Sequence, residues 1–275
     1  MNILDAIVRI NALENLEIGE FYRGRNRINN MGDALEKFIK DAFADSFRMT
    51  EEERIVAYSQ TFSFLGTQNH PPDAIIRNGD SIEIKKIESF SPSLALNSSY
   101  PKDKLRADSP MITRECRECE NWQIKDIIYS IGVIPKNSLS LMALCFVYGE
   151  DYAASHEVYE TLRSRMREGF RSIADIAPAD TNELGRLNAV DPLGITYLRV
   201  RGQWGIQNPR RVFDYLELGN FFAIINLSKY NSFPAASRNL IENTAGIIVS
   251  DCQVRNPNNP AQLRTAKLIS FRRNR

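Results

Sequence analysis

The sequence predicts an α/β protein, a central mixed β-sheet flanked by helices, with elaborations. Three observations carry this reading. Continuous apolar runs at 139–148 and 221–227 have the character of strands buried on both faces. Apolar residues at helical spacing occupy 31–43 and 152–170. Two strand-like runs within 72–88 are joined by a turn, which adds an antiparallel pair. Strands separated by helices place the helices on the faces of a mixed sheet.

The elements follow in chain order. Ile3, Leu4, Ile7, Val8, Leu13 and Leu16 form the stripe of a first amphipathic helix over 2–16. Glycine and asparagine interrupt any period over 19–30, a loop that holds Arg23, Arg25, Arg27 and Asn29. The helix over 31–43 buries Leu35, Phe38, Ile39, Ala42 and Phe43. It places Asp33 in its first turn, where the dipole favours an acid, and Glu36 one turn from Lys40. Residues 54–65 read as a strand, 81–88 as another, and 89–101 as a polar stretch running into a linker. Residues 122–134 are helical or partly extended, and 139–148 are a buried strand.

From 152 to 170, Val158, Leu162, Met166 and Phe170 recur every four residues, with Arg163, Arg165 and Arg167 on the other face. Core packing or a dimer contact would each use such a stripe, and the one at 3–16. Residues 175–191 form a loop-rich connection. In 194–204, Arg199 and Arg201 interleave with apolar residues as in a strand, and 203–211 is a turn carrying Trp204, Asn208, Arg210 and Arg211. Residues 221–227 and 246–254 give the last strands, and the tail after Asp251 has six basic residues and no acid.

Composition bounds the function. A net charge of +1 excludes a general polycation, so contact with nucleic acid must rest on local clusters. Arginine outnumbers lysine 25 to 10, which suits planar contacts to phosphate and guanine and equally a solvated surface. Cys116-x-x-Cys119 is a single pair, and Cys145 and Cys252 are isolated. A structural zinc takes four ligands, so two reduced cysteines are the better reading. The N-terminus lacks a signal-peptide pattern, and the longest apolar run is too short to span a bilayer. The expected setting is cytoplasmic and reducing, with no membrane partner. No G-x-x-x-x-G-K-[ST] and no G-x-S-x-G occurs, so ATP-driven and serine hydrolysis have no support.

The chemistry concentrates in Pro72 to Lys86. Asp73 opens one strand-like run, Asn78-Gly79-Asp80 make a turn, and Glu83-Ile84-Lys85 lie on the second run. Alternation puts Glu83 and Lys85 on one face and Ile84 and Lys86 on the other. Asp73 joins Glu83 only if the loop has an odd number of residues or a bulge restores parity. A three-residue loop at 78–80 would pair Ile75 with Glu83 and Asp73 with Lys85. Two carboxylates then offer hard oxygen ligands of the kind Mg²⁺ takes, beside a lysine.

Pro72-Asp73, nine residues, then Glu83-Ile84-Lys85 resembles the PD-(D/E)XK nuclease superfamily. The run Arg27 to Phe38, Asn97-Ser-Ser-Tyr-Pro-Lys102, Cys116 to Trp122 and Val147-Tyr-Gly149 are similar to the NgoPII-type restriction endonucleases, which cut GGCC. The resemblance implies a type II restriction endonuclease hydrolysing double-stranded DNA with Mg²⁺. Asp73 and Glu83 would hold the metal, with the Ile84 carbonyl completing the site and Glu36 lending an acid. Lys85 would assist catalysis.

The resemblance also implies guanine contacts, a homodimer on a palindromic target, and a cognate methyltransferase that is not a stable subunit. Candidate DNA contacts are Arg23, Arg25, Arg27, Asn29, Lys86, Ser98, Ser99, Lys102 and Lys104. Arg199, Arg201, Trp204, Asn208, Arg210 and Arg211 are the further candidates. The chain reads as one domain over 1–275, with a catalytic core at about 31–150 and recognition or dimerisation elaborations in 1–30 and 151–275. Two rival readings are a structure-specific or repair nuclease of the same superfamily and a DNA-binding module that keeps a degenerate nuclease fold.

Overall fold

A computed structural model describes residues 1–21, 31–67, 70–96, 99–172, 177–178 and 184–271. Helix α1 (Ile3–Asn11) starts at Asn2, whose side chain accepts from the Leu4 and Asp5 N–H groups while Asp5 accepts from the Asn2 N–H. A short α2 (Ile18–Phe21) leads to α3 (Met31–Ala44), which buries Leu35, Phe38, Ile39, Ala42 and Phe43 as their spacing predicts. Burying side chains of this size contributes roughly 2 kcal/mol each.

The next segment corrects the sequence reading. Most of 54–65 is helix α4 (Glu51–Thr61), and only its end is strand, β1 (Phe62–Thr67). Thr50 and Glu53 cap α4 reciprocally, and Arg54, Ala57 and Thr61 form its buried stripe. Asp41 of α3 accepts from Arg54 at 3.0 Å and from Tyr58 at 2.9 Å, locking α4 onto α3.

Then come β2 (His70–Ile76), β3 (Ser81–Ile87), β4 (Leu94–Ala95), β5 (Lys104–Arg106) and α5 (Arg114–Glu118). Residues 122–134 are extended, as β6 (Ile124–Val133), followed by β7 (Ala143–Tyr148), α6 (Gly149–Tyr152) and α7 (His156–Arg171). Short strands β8 (Ala177–Pro178), β9 (Gly185–Asn188), β10 (Tyr197–Val200) and β11 (Gly205–Ile206) precede α8 (Pro209–Val212). The chain closes with β12 (Phe221–Asn226), α9 (Leu227–Ser232), α10 (Ala235–Glu242), β13 (Ile247–Asn256) and β14 (Asn259–Phe271).

Among the described residues the main sheet has the order β1-β2-β3-β6-β7-β12-β14-β13, with β5 added on β6. It is mixed: β3 runs parallel to β6 and β7 parallel to β12, while the other neighbours are antiparallel. One face packs Ile82, Ile84, Ile128 and Phe146 against α1, α3 and α4, with Tyr230 and Ile241 from α9 and α10. The other face packs Tyr129, Ile131, Val147 and Phe222 against Leu94, Tyr152 and Phe213. The apolar runs of β6, β7 and β12 are buried on both faces, as strands between two covered faces must be.

Two further differences have physical causes. Much of the basic stretch after Asp251 is strand: residues 259–271 are β14, inside the sheet, where Lys267 pairs with Asp251 and Arg264 lies 3.7 Å from Glu150, while Arg272, Arg273 and Arg275 lie outside the described residues. The α7 stripe has helical spacing, but Val158, Leu162 and Met166 are exposed. The inward side of α7 instead carries the buried Arg163, and Phe170 sits against Gly185 of β9.

Candidate active site

The β2–β3 hairpin sets the geometry. Ala74 pairs with Ile82, Ile75 with Ser81, and the Ile76 N–H donates to the Asp80 carbonyl at 2.9 Å. The loop is therefore the three residues 77–79, odd as parity demands, but one place earlier than 78–80. Asn78 takes the left-handed conformation (φ 54°) within it. This register sets Asp73 across from Glu83, not Lys85, and on the same face of the sheet.

Backbone pairing of β2 with β3 stops at Ala74↔Ile82. Beyond it the Asp73 carboxylate takes the place of a strand partner and accepts from the Ile84 N–H at 2.5 Å. A residue's N–H and C=O leave an extended strand on the same side, so the Ile84 carbonyl also opens toward Asp73. Lys85 Nζ lies 2.7 Å from Glu83 Oε1. Glu83 Oε2 is buried and has no hydrogen-bond partner among the described residues.

Electrostatics follow from burial and crowding. Burial, then the neighbouring Glu83 carboxylate, push Asp73 up to about 7, against the pull of Lys85. Burial draws the Lys85 ammonium down, but Glu83 and Asp73 outweigh it and hold it above its ordinary value. Glu36 sits 3.2 Å from Lys40, the ion pair its spacing predicts, yet its charge also raises both Asp73 and Lys85. Among the described residues no three acidic, histidine or cysteine side chains come together as one ion site, so Asp73 and Glu83 stand as a pair. A buried carboxylate oxygen without a partner, a second carboxylate facing it across the hairpin and an outward carbonyl form a donor set that fits a hard divalent cation.

The remaining candidates divide. Arg23, Arg25, Arg27, Asn29 and Ser98 lie outside the described residues. Lys86 pairs with Glu88 at 3.0 Å. Lys104 is held at 2.7 Å by both Asp126 and Glu150. Lys102 is buried, and its ammonium donates to Ser99 Oγ. Three residues of the 199–211 segment are used inside the fold. Trp204 packs edge-on against Tyr100 and Tyr159. Asn208 is buried and caps α8 through the Arg210 N–H. The Arg210 guanidinium lies 4.4 Å over the Phe90 ring and donates to the Gly219 carbonyl at 2.6 Å. Arg199, Arg201 and Arg211 face solvent.

Cys116 is buried beside Ile75, Leu105 and Ile112, and burial pushes its thiol up to about 12, as befits a core cysteine. Tyr129 is the residue the sequence did not single out. It pairs with Glu83 in the β3–β6 ladder, and its hydroxyl accepts from the Lys102 N–H at 2.7 Å. A tyrosine in an apolar strand gives no sequence signal of that role. No described helix is long and apolar enough to cross a membrane.

The mixed sheet with a carboxylate hairpin defines a restriction-endonuclease-like core. Comparison with known proteins narrows this. The sequence model of the NgoPII restriction endonuclease family matches residues 1–255. The chain is 47% identical to the type II restriction enzyme NgoPII of Neisseria gonorrhoeae over 277 residues, covering 98% of this chain and 99% of that protein. No solved structure matches at a significant level. The chain belongs to the NgoPII restriction endonuclease family. This places it among the type II restriction endonucleases, which are site-specific deoxyribonucleases and generally use a divalent metal.

Proposed function

We propose that the chain hydrolyses phosphodiester bonds in double-stranded DNA at a short palindromic site, GGCC, using Mg²⁺. The observation that carries the chemistry is the placement of Asp73 across from Glu83, one step beyond the last paired residues of the hairpin, with Glu83 Oε2 buried and unsatisfied beside Lys85. Asp73, Glu83 and the Ile84 carbonyl would hold Mg²⁺, which when bound relieves negative charge on the phosphate and acidifies a water. Lys85 stays charged in the field of both carboxylates and donates to the developing negative charge at the phosphoryl oxygens. The Ile84 N–H fixes the Asp73 carboxylate, so its other oxygen is the one aimed into the site. Glu36 adds negative charge from α3 without touching the pair, and its Lys40 contact holds it in place.

A palindromic target is matched by a twofold dimer, each copy cutting one strand. The exposed α7 stripe of Val158, Leu162 and Met166 supports a partner face there. Arg199, Arg201 and Arg211 are the solvent-facing candidates for DNA contact in the 199–211 segment. The protein then acts in the cytoplasm beside a separate methyltransferase that protects host DNA.

Digestion of a plasmid of known sequence with Mg²⁺ tests the specificity. Discrete fragments ending at GGCC are expected. Discrete fragments ending elsewhere would remove the tetranucleotide, and cleavage at junctions or ends alone would favour a repair nuclease. Sedimentation of wild type and Leu162→Glu tests the dimer. A wild-type dimer that becomes monomeric on substitution is expected, and an unchanged dimer would move the interface elsewhere.

A further inference from the structure

We propose that Lys102 is a positioning residue of this active site: a buried ammonium that balances the charge of the Asp73–Glu83 pair together with Lys85. The inference rests on the reading of that pair as the metal-holding site.

The frame around Lys102 is specific. Tyr129 stands beside Glu83 in the parallel β3–β6 ladder. Its hydroxyl accepts from the Lys102 N–H at 2.7 Å and lies 3.3 Å from the Lys102 carbonyl, so it clamps that residue's backbone. The same segment is pressed against Gly149, where an added Cβ would run into the Lys102 carbonyl and come within 2.6 Å of the Asp103 carbonyl. The side chain is directed by Ser99 Oγ and lies 5.9 Å from the centre of the Tyr100 ring. Tyr100 is itself fixed, by a 2.9 Å hydrogen bond to His156 and by stacking on Tyr159.

A lysine in such a place is costly unless a negative charge answers it. No carboxylate forms an ion pair with Lys102 among the described residues. The charges it feels are those of the active site. Burial pushes its ammonium down to about 8, Glu83 pulls it back up, and Lys85 opposes it. Glu83 is the negative charge that answers Lys102, and Lys85 is the neighbouring positive one. Neutralising Lys102 leaves the site more negative, which strengthens its hold on a cation. It also removes a charge that orders Glu83, which slows turnover. A merely structural lysine predicts the reverse sign for the cation, because a loosened site binds it more weakly.

The test compares wild type with Lys102→Met, using Ca²⁺ binding by calorimetry without DNA and cleavage at saturating Mg²⁺. Expected are Ca²⁺ binding tighter on the order of ten-fold and a kcat lower on the order of ten-fold, with the KM for DNA unchanged. If Lys102→Met does not fold, Tyr129→Phe releases the backbone clamp, and the same two signs are expected at smaller size. Weaker or unchanged Ca²⁺ binding would overturn the inference, as would a loss expressed only in KM, which is the signature of a DNA-backbone contact. Failure of the wild type to bind Ca²⁺ or to cleave would overturn both the inference and the reading of the pair beneath it.

Discussion

Replacing Lys229 by methionine tests how the catalytic hairpin is anchored. Lys229, on α9, lies 2.6 Å from Asp80 and 2.7 Å from Asp126, and so ties α9 to the start of β3 and to β6. Breaking a buried ion pair from one side costs roughly 3–5 kcal/mol, because the partner is left charged and desolvated. Here each acid keeps one donor, Tyr148 on Asp80 and Lys104 on Asp126, both at 2.7 Å. The cost therefore falls near the lower end, about 3 kcal/mol, and lowers Tm by roughly 6–12 °C for a chain of this size.

The pH dependence has a definite sign. Burial would raise the Asp126 carboxyl, but Lys104 and Lys229 outweigh it and hold it below its ordinary value of 3.8. A depressed carboxyl contributes stability that is present above the ordinary value and is lost as pH falls through the folded one. Urea unfolding at pH 7.5 is expected to show the full gap between wild type and Lys229→Met, and at pH 3 a smaller one. A gap under about 1 kcal/mol at pH 7.5, or one that does not shrink at pH 3, would refute the reasoning.

Two other predictions are independent of that anchor. An alanine at Gly66 of β1 would drive its Cβ into the Pro72 carbonyl and to 3.0 Å from the Asp73 Cα, where only backbone could yield. Gly66→Ala is expected to cost about 2 kcal/mol and to lower cleavage on the order of 100-fold by displacing Asp73; urea unfolding and timed digests check the two effects. Asp151 is buried, and burial followed by Glu150 pushes its carboxyl from 3.8 up to about 6, although Asn226 donates to it. The folded state then holds the proton more tightly, so stability falls as pH rises from about 4 to about 6, by roughly 3 kcal/mol. Asp151→Asn is expected to unfold at higher urea than wild type at pH 8 and to lose that advantage at pH 4.

Much of this arrangement was legible in the sequence where one local rule dominated. The α3 stripe and the continuous apolar runs of β7 and β12 needed only periodicity and burial. Parity alone demanded an odd loop in the hairpin. Its placement at 77–79 depends on Asp80, which the fold withdraws from the loop to meet Tyr148 and Lys229 from distant elements. Aromatic and β-branched residues made 54–65 strand-like, although the Thr50–Glu53 cap was a readable helix start. Strand β14 was hidden because its basic residues find their acids only in three dimensions, Lys267 at Asp251 and Arg264 near Glu150. Lys104, Arg210 and Asn208 likewise find their partners only in the fold, Lys104 at Asp126, Arg210 at the Gly219 carbonyl and Asn208 as the cap of α8.

The central claim is that Asp73, Glu83 and Lys85 form one catalytic unit. Its most direct test is a plasmid digest with Mg²⁺ by wild type, Asp73→Ala, Glu83→Ala and Lys85→Ala, with EDTA as control and DNA binding in Ca²⁺ measured alongside. The account predicts discrete fragments from wild type only, none with EDTA, and retained binding by the three variants. Cleavage that persists in Asp73→Ala or Glu83→Ala at the wild-type rate would contradict it and place the active site elsewhere.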